Sequence, residues 1–394
     1  MRPLASRMKV MSGEGALSVF ARASELERAG RSIIHLELGE PDVHPSPSVN
    51  NALKRAVDEG KDRYCAVPGV RDLREAIAMY LADTRNLTVS PDDIVVSPGC
   101  KTALFITLMT LIDPGDEVLY PDPGFPGFAS ITLGLGGVPV PFELTERNRF
   151  QPDPDQIAAK ITSRTKVIIT NSPSNPVGTV YTDEVQRRLA ELAVKHDLIV
   201  LSDEIYARIV YDSPYVSMRS YPGMAERTVI LDGFSKSFAM TGWRLGYAVA
   251  PAEITEALTM MVANSYTSVA EFEQYAAITA LRDPDGATPR MVREFAARSA
   301  QFIGDLNRVP GFRCLPPAGA FYAWVNITET GLSAGEICRI LLEEAGVAAI
   351  AGAAFGDAGA DFVRFSFASS SKNLKEAVSR IQRVAPAWQG ASVK

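Results

Sequence analysis

Five short apolar runs punctuate the middle of the chain: DIVVSPG (93–99), EVLYPDP (117–123), KVIITNSP (166–173), LIVLSDE (198–204) and TVILDGFSK (228–236). Each is almost continuous in Val, Ile and Leu and closes on a turn. Runs of this kind, without strict alternation, suit strands covered on both faces, as in a parallel sheet. Between the third and fourth lies TDEVQRRLAELAVKH. Thr182 stands where an N-cap is expected, and Asp183 and Glu184 fall in the first turn, where the helix dipole favours acids. Val185, Leu189, Leu192, Ala193 and His196 then share one helical face. Strand and helix patterns alternate from about residue 90 to 250, which predicts a large α/β domain.

The flanks read differently. Residues 14–30 carry an amphipathic helical pattern, followed by the turn-rich GEPDVHPSPS (39–48). After LRDPDG (281–286) come a helical stretch, a strand over 316–327, another helix and a strand over 361–368. In that last strand Val363, Phe365 and Phe367 share one face, and Arg364, Ser366 and Ala368 the other. The pattern divides the chain into an N-terminal arm with part of a small domain (1–48), a large domain (49–285) and a C-terminal small α+β domain (286–394). The boundary is set at Pro284–Gly286.

Composition narrows the function classes. A chain of 394 residues with 46% apolar and 22% charged residues is ordinary globular protein. Forty basic against 46 acidic residues give a net charge of −6. Without basic blocks, the chain offers no electrostatic footprint for nucleic acid or an anionic membrane. The longest apolar runs, 104–112 and 347–355, fall well short of the ~20 residues that span a bilayer. The first fifteen residues lack the continuous apolar stretch of a secretory signal. Cys65, Cys100, Cys314 and Cys338 form no C-x-x-C pair, and with only His35, His44 and His196 there is no zinc spacing. The expectation is a reduced, cytoplasmic protein without a metal. So few histidines also disfavour a Ser-His-Asp or Cys-His nucleophile.

In open α/β sheets ligands sit beyond the carboxyl ends of the strands, so what each strand delivers there matters. The first run leads to Gly99, Cys100 and Lys101 at a helix start: a phosphate site or an ordinary turn. The second brings Phe125 to the rim, for packing or for stacking on a ligand. The third opens into Ser174-Asn175-Pro176-Val177-Gly178, a polar loop. The fourth ends in Asp203, Glu204 and Tyr206; a carboxylate sheltered at Asp203 requires a cationic partner. The fifth delivers Ser235 and Lys236, with Arg244 eight residues on. Burial disfavours the ammonium form of a lysine and turns it into a Schiff-base nucleophile. One ligand suits the whole set: an aromatic aldehyde with a phosphate tail and a ring nitrogen, which describes pyridoxal 5′-phosphate (PLP).

The stretch SKSFAMTGWRLGY (235–247) resembles the cofactor-lysine signature of class I/II aminotransferases, the aspartate aminotransferase family of fold type I. The resemblance runs over about residues 5–385. LGEPD (38–42), YCAVPGVRDLREAI (64–77), SPGCKTAL (97–104), DPGDEV (113–118), NSPSNPVG (171–178), SDEIY (202–206), PAGAFY (317–322) and VRFSFA (363–368) occur in family order. It implies a fold type I α/β architecture: a large domain whose mostly parallel sheet is sandwiched by helices, and a smaller α+β domain. It also implies that Lys236 is the cofactor lysine and proton carrier, and that Asp203 keeps the ring nitrogen protonated. Asn175 and Tyr206 would bond the ring hydroxyl oxygen. Ser235, Arg244 and the N–H groups around Gly99, Cys100 and Lys101 would hold phosphate, and Phe125 would stack on the ring. Arg364 would clamp the substrate carboxylate, aided by Asn175 and the backbone at Gly39. Tyr64 would reach the phosphate site of a neighbouring subunit, which makes the expected unit a homodimer with shared sites.

The chain departs from the family pattern at Phe125, where Tyr or Trp is frequent, and at Cys100, where small residues are usual. Two other PLP activities share Lys236, Asp203 and Arg364, a β-lyase acting on cysteine conjugates and a cyclase of the aminocyclopropane carboxylate synthase kind, and aminotransferase-like domains also serve as non-catalytic ligand sensors. The sensor would carry a DNA-binding domain, for which no room is expected ahead of the match. A dinucleotide site at Gly134, Gly136 and Gly137 lacks the G-x-G-x-x-G that opens a helix. Aspartate, alanine, aromatic and branched-chain amino donors all remain open.

Overall fold

The structure, a computed structural model, describes residues 3–389 apart from 14, 213 and 214, so the first residue of the N-terminal helical pattern lies outside the described residues. Strand β1 (Ile34–His35) precedes seven strands of one sheet: β2 (Ile94–Ser97), β3 (Glu117–Asp122), β4 (Val138–Glu143), β5 (Thr165–Asn171), β6 (Ile199–Asp203), β7 (Thr228–Gly233) and β8 (Gly246–Val249). Their order is β2-β8-β7-β6-β5-β3-β4. All five apolar runs are therefore strands. Two more strands were not expected. β8 lies antiparallel between β2 and β7, and β4 lies parallel to β3 at the edge. Pro139 and Pro141 interrupt the apolar pattern of β4, and an edge strand tolerates the missing donors.

Side chains alternate across this sheet into two buried layers. Val96, Ile230 and Tyr247 point to one face, where α3 (Arg71–Arg85) contributes Leu73, Ile77 and Leu81, after α1 (Gly15–Arg28) and α2 (Pro47–Asp58) in the chain. Val95, Leu201, Val229 and Leu231 point to the other, against α4 (Cys100–Leu111). This double coverage is the reason the strands read as continuous apolar runs.

The helix Asp183–Lys195 is capped by Thr182, whose side chain accepts from Val185 N–H. Its buried face consists of Gln186, Leu189, Ala190 and Ala193, and His196 is exposed. The helix ends at Lys195 and His196 is its C-cap at φ −105°, outside the regular helix, so the helical periodicity no longer places it on the buried face.

The C-terminal part holds β9 (Arg313–Cys314), β10 (Tyr322–Asn326), β11 (Val347–Ala348), β12 (Ile350–Ala351) and β13 (Phe362–Ser366). β12-β13-β10-β9 form an antiparallel sheet, while β11 pairs with β1. The strand expected over 316–327 begins only at Tyr322. Ala318 and Gly319 instead donate to the Gly178 carbonyl, and Ala320 adopts φ 56°. The segment after β1 also joins this sheet, since Ser366 N–H donates to Leu36 at 2.7 Å. Phe295, Phe302, Phe365 and Ile381 fill the core beneath it. Among the described residues no helix is long and apolar enough to cross a membrane.

Candidate active site

The carboxyl ends of the parallel strands and the face of β13 meet at a cavity of about 250 Å³. Gly39, Cys100, Lys101, Phe125, Asn175, Asp203, Tyr206, Ser235, Lys236, Arg244 and Arg364 line it, so eleven of the thirteen residues singled out from sequence converge there. Gly99 stands just behind the lining as the N-cap of α4. Tyr64 lies away from the cavity and is 90% exposed.

Gly99 adopts φ 82°, and a Cβ there would come within 2.5 Å of Arg244 Nη2. Only glycine lets the guanidinium approach the first turn of α4. Arg244 Nη1 in turn donates to the Thr241 carbonyl at 2.7 Å. Buried Ser235 lies next to Lys236 at the turn after β7. Guanidinium and helix start thus lie side by side and line one cavity with Ser235, a set whose chemistry suits a dianion.

Asp203 ends β6, and its Oδ1 accepts from Ile205 N–H at 3.2 Å, with the Cys100 thiol 4.0 Å away. Burial pushes the Asp203 carboxyl up to about 7, against the pull of the Ile205 N–H and with help from the Asp232 and Glu204 carboxylates. Such a group calls for a positive partner. Burial, and secondarily Asp203, also holds the Cys100 thiol well above its ordinary range, which keeps it a neutral S–H and a poor nucleophile.

Lys236 Nζ donates to the Gly39 carbonyl. Arg364 is 4% exposed and sits on β13 opposite Trp324 of β10. Its Nη1 donates to Asn175 Oδ1 at 2.9 Å and its Nη2 to the Glu37 carbonyl. Its guanidinium carbon stacks 4.4 Å from the Tyr322 ring and 4.7 Å from that of Phe355. The fork is thereby held in one plane before any substrate arrives. Burial pushes the Tyr206 phenol well up, so it stays protonated, and its hydroxyl shares a 2.7 Å hydrogen bond with that of Tyr322.

A scan of known families matches residues 31–381 to aminotransferase class I and II. The chain belongs to that family. It is 38% identical to the aspartate aminotransferase of Geobacillus stearothermophilus, over 96% of this chain and 98% of that one. It is 37% identical to the aspartate/prephenate aminotransferase of Thermus thermophilus, over 98% and 99%. The solved structure of aspartate aminotransferase from Thermus thermophilus with maleate superposes with a TM-score of 0.92 at 36% identity, covering 98% of this chain and all of that one. An aspartate aminotransferase from Rhizobium meliloti gives 0.94 at 32% identity, over 98% and 99%. The protein is thus an aminotransferase of fold type I.

The aminotransferase site contains residues that sequence reasoning passed over. Tyr322 is one: a Cβ on Gly39 would fall 2.0 Å from its hydroxyl. Asn171 is another; it donates to the Asp203 carbonyl and accepts from Asn175 N–H. Both lie in motifs of the family resemblance, PAGAFY and NSPSNPVG, where residue type alone does not mark them. Gly15, Ala16 and Leu17 of α1, with Ile350 and Phe355, also line the cavity. Nothing in their spacing marks them, since they arrive from both ends of the chain.

Proposed function

We propose that the aminotransferase holds PLP in this cavity and moves an amino group from an L-α-amino acid to a 2-oxo acid in ping-pong fashion. The convergence of Lys236, Asp203 and Arg364 on one cavity carries the reading. The cavity fits the cofactor by the chemistry of its groups: a lysine, a buried carboxyl in need of a cation, and a glycine-cleared anion cradle at Arg244. When bound, PLP supplies an aldehyde that joins to amines and a protonated ring that draws electrons from the substrate Cα.

The side chains divide the remaining work. Lys236 would hold the cofactor through its amine and would serve as the base that moves the substrate Cα proton. Asp203 keeps a proton at the ring nitrogen. Asn175 and Tyr206 would offer an amide and a phenol to the ring hydroxyl oxygen, and Phe125 would give the ring an aromatic surface. At the start of α4, Cys100 and Lys101 would offer backbone N–H groups to the phosphate, beside Ser235 and Arg244, while Gly99, whose own N–H is taken by the Ser97 carbonyl at 2.7 Å, makes room for the guanidinium. Arg364, with Asn175 and the Gly39 backbone, holds the substrate carboxylate and so aims the Cα–H bond.

The donor we infer is a dicarboxylic amino acid. The relatives named for aspartate support this, as does Lys101, a further cation at the cavity wall. The unit we infer is a cytoplasmic homodimer in which Tyr64 serves the neighbour's phosphate site. Its exposure supports this, together with exposed Phe105 and Met109 one turn apart on α4. A single-turnover panel of amino donors tests the function. Stoichiometric 2-oxo acid from aspartate, and stoichiometric glutamate when 2-oxoglutarate is then added, is expected. Release of ammonia and pyruvate from cysteine conjugates without transfer would favour a lyase instead.

A further inference from the structure

Glu37 is fully buried on the segment that leads from β1 to Leu38 and Gly39 at the cavity. Its Oε1 lies 2.7 Å from His35 Nδ1, and its Oε2 meets no hydrogen-bond donor among the described residues. Its main-chain oxygen accepts from Arg364 Nη2. On the far edge of the imidazole, Nε2 lies 3.2 Å from Glu27 Oε1, and the ring packs 5.6 Å from Phe20. Glu27 and Phe20 belong to α1, whose first residues line the cavity. Neither His35 nor Glu37 lines it themselves.

A buried carboxylate is tolerated when a charged, hydrogen-bonded partner compensates it. His35 supplies that partner, and two carboxylates facing the two ring nitrogens favour the imidazolium, which donates at both. We propose that the His35 imidazolium is a positioning residue for substrate binding: it pins α1 to Glu37 and thereby fixes the carbonyl that orients Arg364. The proposal rests on the reading of Arg364 as the carboxylate clamp. A shift of the Glu37 backbone would release a hydrogen bond that holds the guanidinium in plane. The same shift would loosen α1 over the cavity.

The charged groups at His35 are Glu37 beside it and Glu27 from α1, while β11 presents Val347 and Ala348 opposite. The hydrogen bond to Glu37 above all, with Glu27 adding to it and partial burial opposing, raises His35 to about 9. The latch is therefore closed at neutral pH and opens as pH rises through that value.

The test uses the PLP-loaded enzyme, titrated calorimetrically with α-methylaspartate, which has the carboxylates and amine but no reacting hydrogen, alongside single turnover with aspartate. His35→Gln and Glu37→Gln should each weaken binding about 10- to 100-fold, with little further loss when combined and an unchanged cofactor absorbance band. The ratio of wild-type to His35→Gln affinity should shrink toward one as pH rises through about 9. Should His35→Gln fail to fold, Glu27→Gln, at a half-exposed position, cuts the α1 contact alone and should give a smaller loss in the same direction. Wild-type affinity in all these variants, while Arg364→Ala loses binding, overturns the latch and leaves the clamp standing. Wild-type affinity in Arg364→Ala as well would remove the clamp reading and the latch with it.

Discussion

Arg364 Nη1 donates to Asn175 Oδ1 at 2.9 Å, joining residues 189 positions apart. One sits on the C-terminal sheet and the other on the loop after β5, and both line the cavity, so this bond links the two sheets at its wall. If Arg364 clamps the substrate carboxylate, replacing it by Ala removes one partner of a buried charge pair, a loss of ~3–5 kcal/mol. At ~1.4 kcal/mol per decade, kcat/KM should fall by ~10²–10⁴. Arg364→Lys should recover part of it, because a point charge lacks the planar fork. Steady-state kinetics over the donor panel checks this, and a loss below about tenfold with every donor would place the clamp elsewhere.

Lys236→Ala should abolish the absorbance of lysine-bound cofactor and lower turnover by many orders of magnitude, because anchor and proton carrier vanish together. The spectrum of the reconstituted variant decides it. A wild-type band in Lys236→Ala would contradict the assignment.

Asp203 makes a pH prediction. Its carboxyl sits at about 7 in the folded chain against 3.8 ordinarily. A raised carboxyl contributes stability that is complete below about pH 4 and lost as pH climbs to about 7. The cofactor-free protein should lose on the order of 2–4 kcal/mol across that window, and Asp203→Asn should flatten the slope. Thermal melts of both apoproteins from pH 4 to 8 measure it. The same variant, loaded with PLP, should be slow in the half-reaction, since an amide cannot hold the ring proton; an undiminished rate would exclude that role.

Tyr64 predicts complementation. Impaired Tyr64→Ala chains mixed with inactive Lys236→Ala chains should form heterodimers with one complete site, taking Lys236 from the first chain and Tyr64 from the second. Activity should exceed the sum of the parents. No gain in verified mixed dimers, or a fully active monomer in sedimentation, would refute shared sites.

Much of this was legible from strand ends. Asp203, Lys236 and Asn175 follow apolar runs whose burial on both faces leaves polar residues to emerge at one sheet edge. Arg364 was legible because a strand alternates, and an arginine at the polar register of VRFSFA must find a partner. Less accessible were β4 and β8, the first because Pro139 and Pro141 break its pattern, the second because four residues of GYAV carry too little periodicity. Tyr322, Asn171 and the α1 residues escaped for another reason. Their roles arise from contacts between segments far apart in sequence, and local pattern holds no record of such neighbours.

The reversed direction of β8 has a geometric consequence. A parallel strand exits toward the cavity, whereas an antiparallel one departs from it, so the residues just before β8 share an edge with those just after β2 and β7. Arg244, two positions ahead of Gly246, is thereby placed beside Gly99 and Ser235. Were β8 parallel, the same arginine would stand at the opposite rim, four residues or ~13 Å away. A single inverted strand lets a short loop of about ten residues, from Ser235 to Arg244, bring both of its ends to one cavity without a crossover helix.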